Sequence, residues 1–488
     1  MPFAQALWES LARDSRLVLP VLVLWLAGTL MLWPFDSWLL KRLSKERWAF
    51  LSIAVLLLSG WFVLHTPTAI GFSEMFRIDG VTKGFQILCI IAGILTIALG
   101  KQQLSALKEH TVEYYSLILF SISGMLILVG ATDLVSIYFA LELMALCIYI
   151  LVAYLRTQER GIEAGVKYFL LGAFSSGILL FGISLLFAAT GGTTTNLERL
   201  GQAIALAPGN HELLVFSGVL MVLVGFAFKV AAVPFHMWSP DAYEGAPTPI
   251  TAFMSMAPKA AALAAFVRIF GTGFSGVTEN WIAPLSFIAA ASMILGNVAA
   301  LRQKSLKRML AYSSIGHVGY MLLGILSTDS QAGAKAIWLY MAVYLVMQTG
   351  AFAVLIYKQG ITEGERIDDL RGMGKQHPLL AFTMMVFMLS LAGIPPLLGF
   401  FSKFYLFRLA IIQGHVALTV IALLTSAVAA YYYLNVIAQM YFKDPADSNA
   451  EPVGISTTVL VTACTAVLLV GTAFSPWLME WVEMIGWG

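Results

Sequence analysis

Seven titratable side chains stand inside apolar runs that give them almost no polar company. Glu142 lies within Ile137-Tyr138-Phe139-Ala140-Leu141-Glu142-Leu143-Met144, and Lys229 follows Val224-Gly225-Phe226-Ala227-Phe228. Lys259 follows Met256-Ala257-Pro258, and Lys403 sits in Gly399-Phe400-Phe401-Ser402-Lys403-Phe404-Tyr405. A charge in hydrocarbon is costly unless it is paired or neutralised, so such residues mark ion or proton pathways. A desolvated lysine is a group that can load and release a proton near neutrality. His236, beside Pro234 and Phe235, and His317, after Ser313-Ser314-Ile315-Gly316, can relay protons through either ring nitrogen. A lone histidine on a helix also serves as a hydrogen-bonded packing residue. Lys167 stands four residues after Glu163, which leaves a surface i,i+4 pair as its other reading. Tyr431, Tyr432 and Tyr433 could extend a polar file or simply pack.

The elements that must hold these groups are membrane helices. Of the 488 residues, 59% are hydrophobic and only 11% charged; a water-coated domain carries roughly a quarter of its residues as charges. A helix crosses the hydrocarbon core with about 20 apolar residues. Runs of that kind fall near 17–34, 48–66, 84–100, 113–131, 134–155, 164–189 and 212–236, and again near 247–270, 281–301, 307–326, 333–357, 379–411, 416–441 and 455–478. The reading is an all-α integral membrane protein of about fourteen spans. The alternate loops on one side carry 17 of the 29 Lys and Arg, against 6 on the other side with both termini. Basic residues favour the cytoplasmic side, so both termini are expected outside, on the periplasmic face of a bacterial inner membrane. Six basic residues remain within the spans, and two of these, Arg268 and Arg408, lie near helix ends where they can snorkel.

Lys229 and Lys403 stand 174 residues apart, and each has proline nearby: Pro234 in the seventh span, Pro395 and Pro396 in the twelfth. Glu142 maps close to His317 at a similar spacing. This suggests two five-helix repeats, spans 4–8 (residues 113–274) and 9–13 (275–441), flanked by an N-terminal three-helix segment (1–112) and a C-terminal helix (442–488). An odd number of spans inverts the second copy, the architecture of secondary transporters with helices broken where ions pass. Proline removes a backbone donor, and the freed carbonyls must find protein or water. Spans 7 and 12 are therefore expected to be discontinuous, and Pro258 marks a third candidate break.

Other chemistries find no residues here. Cys89, Cys147 and Cys464 are scattered singletons without the spacing of a metal or iron–sulfur site. No Gly-rich phosphate loop follows a strand, and a net charge of +2 gives no reason to expect a nucleic-acid partner. The first apolar run reads as a retained span and not a cleaved signal peptide.

Two long motifs carry a family likeness. Gly225-Phe226-Ala227-Phe228-Lys229 and Pro234-Phe235-His236-Met237-Trp238-Ser239-Pro240-Asp241-Ala242-Tyr243-Glu244-Gly245-Ala246-Pro247-Thr248-Pro249 resemble the antiporter-like subunits of respiratory complex I and of multisubunit sodium/proton antiporters. The stretches Lys167–Phe174, Asp369–Met373 and Met388–Pro396, running on to Lys403, resemble the N-type branch of NADH:quinone oxidoreductase. The likeness runs from about residue 70 to 445. It implies that Glu142 and Lys229 form the coupled pair of a first half-channel, that Lys259 links to the centre, and that Lys403 serves a second. It also places Lys167 and His317 on a polar axis. It further implies a proton pump whose NADH, FMN, iron–sulfur and quinone chemistry lies in other subunits, with no cofactor or metal in this chain. Expected partners are neighbouring membrane-arm subunits, including antiporter-like ones, and lipid. Two other readings stay open: a sodium/proton antiporter subunit, and a passive scaffold whose charges only hold helices together.

Overall fold

The computed structural model describes residues 14–32, 45–106, 111–155, 157–205, 211–362, 364–445 and 453–484. Both chain ends, on which the expected placement of the termini rests, lie outside the described residues, as do Lys41, Arg42, Lys108 and Arg156 of the basic loops.

The first third of the chain supplies α1 (Leu19–Leu32), α2 (Lys45–His65), α3 (Gly80–Ala106), α4 (Thr111–Gly130) and α5 (Leu134–Val152). α6 (Glu159–Ala189), the short α7 (Leu197–Ala205), α8 (Glu212–Lys229), α9 (Trp238–Gly245) and α10 (Thr248–Arg268) follow. The later part holds α11 (Ile282–Ala300), α12 (Leu306–Ile325), α13 (Ser330–Thr362), α14 (Met373–Gln376), α15 (Pro378–Ala392), α16 (Leu398–Ile412), α17 (Val416–Phe442), α18 (Ile455–Ala473) and α19 (Ser475–Met484). Among the described residues eleven helices are long and apolar enough to cross a membrane, with α1 and α15 as shorter apolar helices. A small antiparallel hairpin, Ala69–Gly71 with Phe76–Ile78, interrupts the helical pattern before α3; nothing in the apolar runs announced it.

Local chemistry sets the helix ends that matter here. Asp133 caps α5, its carboxylate accepting from the N–H groups of Val135 (2.9 Å) and Ser136 (3.2 Å), which satisfies donors left orphaned at a helix start. Ser305 caps α12 through the N–H of Arg308 at 3.3 Å. Gly393, at φ 79°, ends α15 in the left-handed conformation that only glycine adopts without a Cβ penalty.

The two proline sites, Pro234 and Pro395–Pro396, do interrupt their spans. α8 stops at Lys229 and the chain becomes helical again at Trp238; α15 stops at Ala392 and α16 begins at Leu398. Pro258 behaves differently. α10 runs unbroken from Thr248 to Arg268 through it, so the expected third break is corrected. α10 is enclosed along its length by α3, α4 and α13. That packing keeps the helix continuous past one missing N–H, as neighbouring helices do in membranes.

α10 and α12 form the centre, both buried nearly throughout. α12 packs closely on α11, where a side chain on Gly296 would meet the backbone N of Gly316 at 2.5 Å. Small residues allow such close approach in membrane bundles. α6 lies against α8, α11 against α17, and α13 against α16, so the groups singled out above converge from the flanks on this centre.

Candidate functional site

Glu142, Ser176 and Lys229 form the first cluster. The Lys229 ammonium lies 3.3 Å from Glu142 Oε1 and 3.3 Å from Ser176 Oγ, and the Ser176 hydroxyl donates to the same carboxylate oxygen. Lys229 is the last residue of α8, so its stem leaves the helix just where the chain breaks. Trp238 covers that end, its indole N–H donating to Phe228 O at 3.0 Å. The lysine side chain is 4% exposed and the glutamate 23%. The pair is thus enclosed on the lysine side and open on the carboxylate side, toward the outer flank of α5.

The second cluster is central. Lys259 Nζ donates to Ser314 Oγ at 2.6 Å and lies 5.7 Å from the centre of the Tyr243 ring. That hydroxyl is the only hydrogen-bond acceptor for its three donors among the described residues. One turn along α12, His317 bonds through Nδ1 to Tyr340 Oη at 2.7 Å and through Nε2 to Tyr433 Oη at 3.1 Å. Tyr433 also bonds to Ser313. The imidazole packs on Tyr344, ring centres 5.0 Å apart.

Lys403 forms the third cluster and closes the second helix break. Its ammonium donates to the carbonyls of Leu391 and Ala392, each at 3.0 Å, and to Ser426 Oγ at 2.9 Å. Those carbonyls are orphaned at the end of α15 and carry the negative end of its dipole, so a cation is the natural cap. Lys403 also lies 5.3 Å from the Tyr320 ring centre, and Tyr320 bonds through Asn297 to the α11–α17 seam. Between Lys259 and Lys403 the space is thus occupied by serine, tyrosine and imidazole groups. Between Lys229 and Lys259 no direct hydrogen bond joins the clusters among the described residues.

Two expected members stand apart. Lys167 is 49% exposed and bonded to Glu163 at 2.7 Å and Asp241 at 3.4 Å, so it sits on the rim as an i,i+4 pair, outside the buried row. His236 is half-buried in the segment joining α8 to α9, and its Nδ1 makes no hydrogen bond among the described residues. Arg268, the last residue of α10, is mostly enclosed and pairs with Asp79, 3.0 Å away, and Thr82, 2.9 Å away. Of the three consecutive tyrosines, Tyr433 and Tyr432 face inward while Tyr431 is exposed.

Sequence reading passed over Ser176, Ser314, Ser426 and Tyr340, because a serine or tyrosine in a membrane helix gives no periodic signal. It also counted Lys307 among the basic residues of the loop between the ninth and tenth spans. Lys307 is in fact 4% exposed, with its ammonium 2.8 Å from Glu365 and 3.0 Å from Ala246 O. It lies at a cavity of about 1010 Å³ that also gathers Arg160, Glu244, Arg302, Lys304, Arg308 and Arg366. These come from four loops that the charge pattern assigned to one side, and the fold brings them to one end.

Against known proteins, the chain is 44% identical over 405 residues to NADH-quinone oxidoreductase subunit N of Paramagnetospirillum magneticum, covering 81% of each. The chain belongs to the NADH-quinone oxidoreductase subunit N family. Residues 131–429 also match the family described as NADH:quinone oxidoreductase/Mrp antiporter membrane region. Among solved structures, the fold is similar to a chain of respiratory complex I from Thermus thermophilus, determined with bound aureothin. That chain is 32% identical, with a TM-score of 0.79 over 95% of this chain and 98% of that one. A chain of the Mrp complex from Dietzia superposes with a TM-score of 0.83 over 96% of both at 20% identity, a likeness of fold alone. The expected antiporter-like membrane fold and the N-type assignment both hold, and the chain is a membrane subunit of the complex I type.

Proposed function

We propose that this chain moves protons from the cytoplasm to the outside of a bacterial inner membrane, driven by NADH-to-quinone electron transfer in other subunits. The observation that carries the reading is the contrast among the buried lysines. Lys229 faces a carboxylate at 3.3 Å, while Lys259 and Lys403 hold only neutral oxygens. A lysine with a movable counter-ion is a group whose proton can be held or released by opening one ion pair.

While Glu142 stays on Lys229 the ammonium is stabilised. When the pair separates, Lys229 loses that support and gives its proton to Lys259. Serine, tyrosine and His317 side chains supply hydrogen-bonding groups onward from Ser314, and Lys403 releases the proton outward. Ser176, bonded to both members of the pair, keeps them aligned. NADH, FMN, iron–sulfur clusters and quinone are expected in partner subunits, and neighbouring membrane-arm subunits, antiporter-like ones included, would flank this chain.

Replacing Lys229 or Lys403 by alanine in the assembled complex tests the path. Proton pumping measured together with quinone reduction should fall in both variants; full coupled activity in both refutes it. Sodium-dependent exchange without a redox partner would instead favour the multisubunit antiporter reading, and alanine variants that lower assembly but leave pumping per complex unchanged would favour a scaffold.

A further inference from the structure

A cavity of about 550 Å³ opens on the lateral face between α16 and α17. Its walls are apolar, with Phe404, Ile411 and Leu423 exposed around the opening. Besides Thr419 and Ser426, its lining carries two cations at two levels. Lys403 lies within it, bonded to carbonyls and a serine but to no carboxylate. Arg408 lines it one turn before α16 ends at Ile412, exposed and without an ion pair among the described residues. The two cations are five residues apart, about 7.5 Å along the helix axis.

An apolar cleft with an exposed guanidinium near the end of α16 suits an amphiphile with an anionic head. Arginine matches phosphate oxygens with paired N–H donors. The volume suits a hydrocarbon chain and lies within the roughly 300–1,000 Å³ of small-ligand sites. We propose that this pocket binds one anionic phospholipid, its phosphate on Arg408 and one acyl chain laid past Phe404 and Leu423 toward Lys403. The occupant then covers the lateral side of Lys403 with hydrocarbon, and the site stands whether or not Lys403 carries protons.

The test uses the assembled complex in its membrane. Phosphatidylglycerol and phosphatidylcholine, each with the same diazirine-tagged acyl chain, are photolysed and the labelled peptides mapped by mass spectrometry. Phosphatidylglycerol should label residues 398–430 in excess over phosphatidylcholine. Arg408→Gln should lower that labelling about fivefold, the worth of one basic contact to an anionic lipid surface. Ala427→Trp, which fills the cavity without touching charge, should abolish labelling by either lipid. Equal labelling by both lipids, or labelling indifferent to both variants, overturns the proposal. So does a segment unlabelled by lipid but photocrosslinked to a neighbouring protein chain.

Discussion

Exchanging Glu142 for glutamine removes one charge and keeps nearly the same shape. At 3.3 Å and an effective dielectric of 20, the Coulomb attraction on Lys229 is about 5 kcal/mol. Glutamine retains a carbonyl oxygen that can accept from the ammonium and from Ser176, a bond worth about 2 kcal/mol to a charged donor. About 3 kcal/mol of support for the Lys229 cation is therefore lost, at the low end of what breaking a buried pair costs. If loading of Lys229 limits turnover, that is about two decades in rate. Inverted membrane vesicles provide the assay: NADH oxidation with an added quinone is followed together with quenching of a pH-gradient dye. The level of assembled complex is quantified in the same preparation. Glu142→Gln should lose most of its proton pumping at normal assembly, and Glu142→Asp, which keeps the charge, should retain a measurable part. Pumping within twofold of the parent in Glu142→Gln refutes the role given to the pair.

Two further outcomes follow from burial. Lys167→Ala removes a half-exposed, solvent-screened pair, so vesicle pumping should stay within twofold of the parent, and a loss comparable to that of Lys229→Ala would return Lys167 to the proton path. Glu365→Gln strands the enclosed Lys307 ammonium on backbone carbonyls, costing about 3 kcal/mol; a lower thermal-unfolding midpoint of the solubilised complex is the expected reading, and an unchanged midpoint argues against a structural role for the pair.

Composition and periodicity determined much of this protein. The apolar runs gave the membrane helices, because a span in lipid must satisfy its own backbone and so declares itself in sequence. Each predicted run overlaps a described helix, and the run at 379–411 overlaps two, α15 and α16. The buried position of Lys229, Lys259, His317 and Lys403, and the partly buried one of Glu142, were legible for the same reason, since a charge amid apolar neighbours is visible without coordinates. Proline at 234 and at 395–396 marked two real interruptions.

Contacts between helices decided the rest. That Lys229 has a carboxylate while Lys403 has the carbonyl end of α15 depends on which helices lie side by side, and neither chain distance nor residue type records it. Pro258 fails as a break because α3, α4 and α13 enclose α10, so packing overrides a local propensity. Lys307 and Lys167 exchange their expected places for a related reason. Burial of a residue at a helix end depends on the loops folding over it, and Glu365 arrives from a segment 58 residues further along the chain. Sequence could name the charged groups; tertiary structure chose the partner of each.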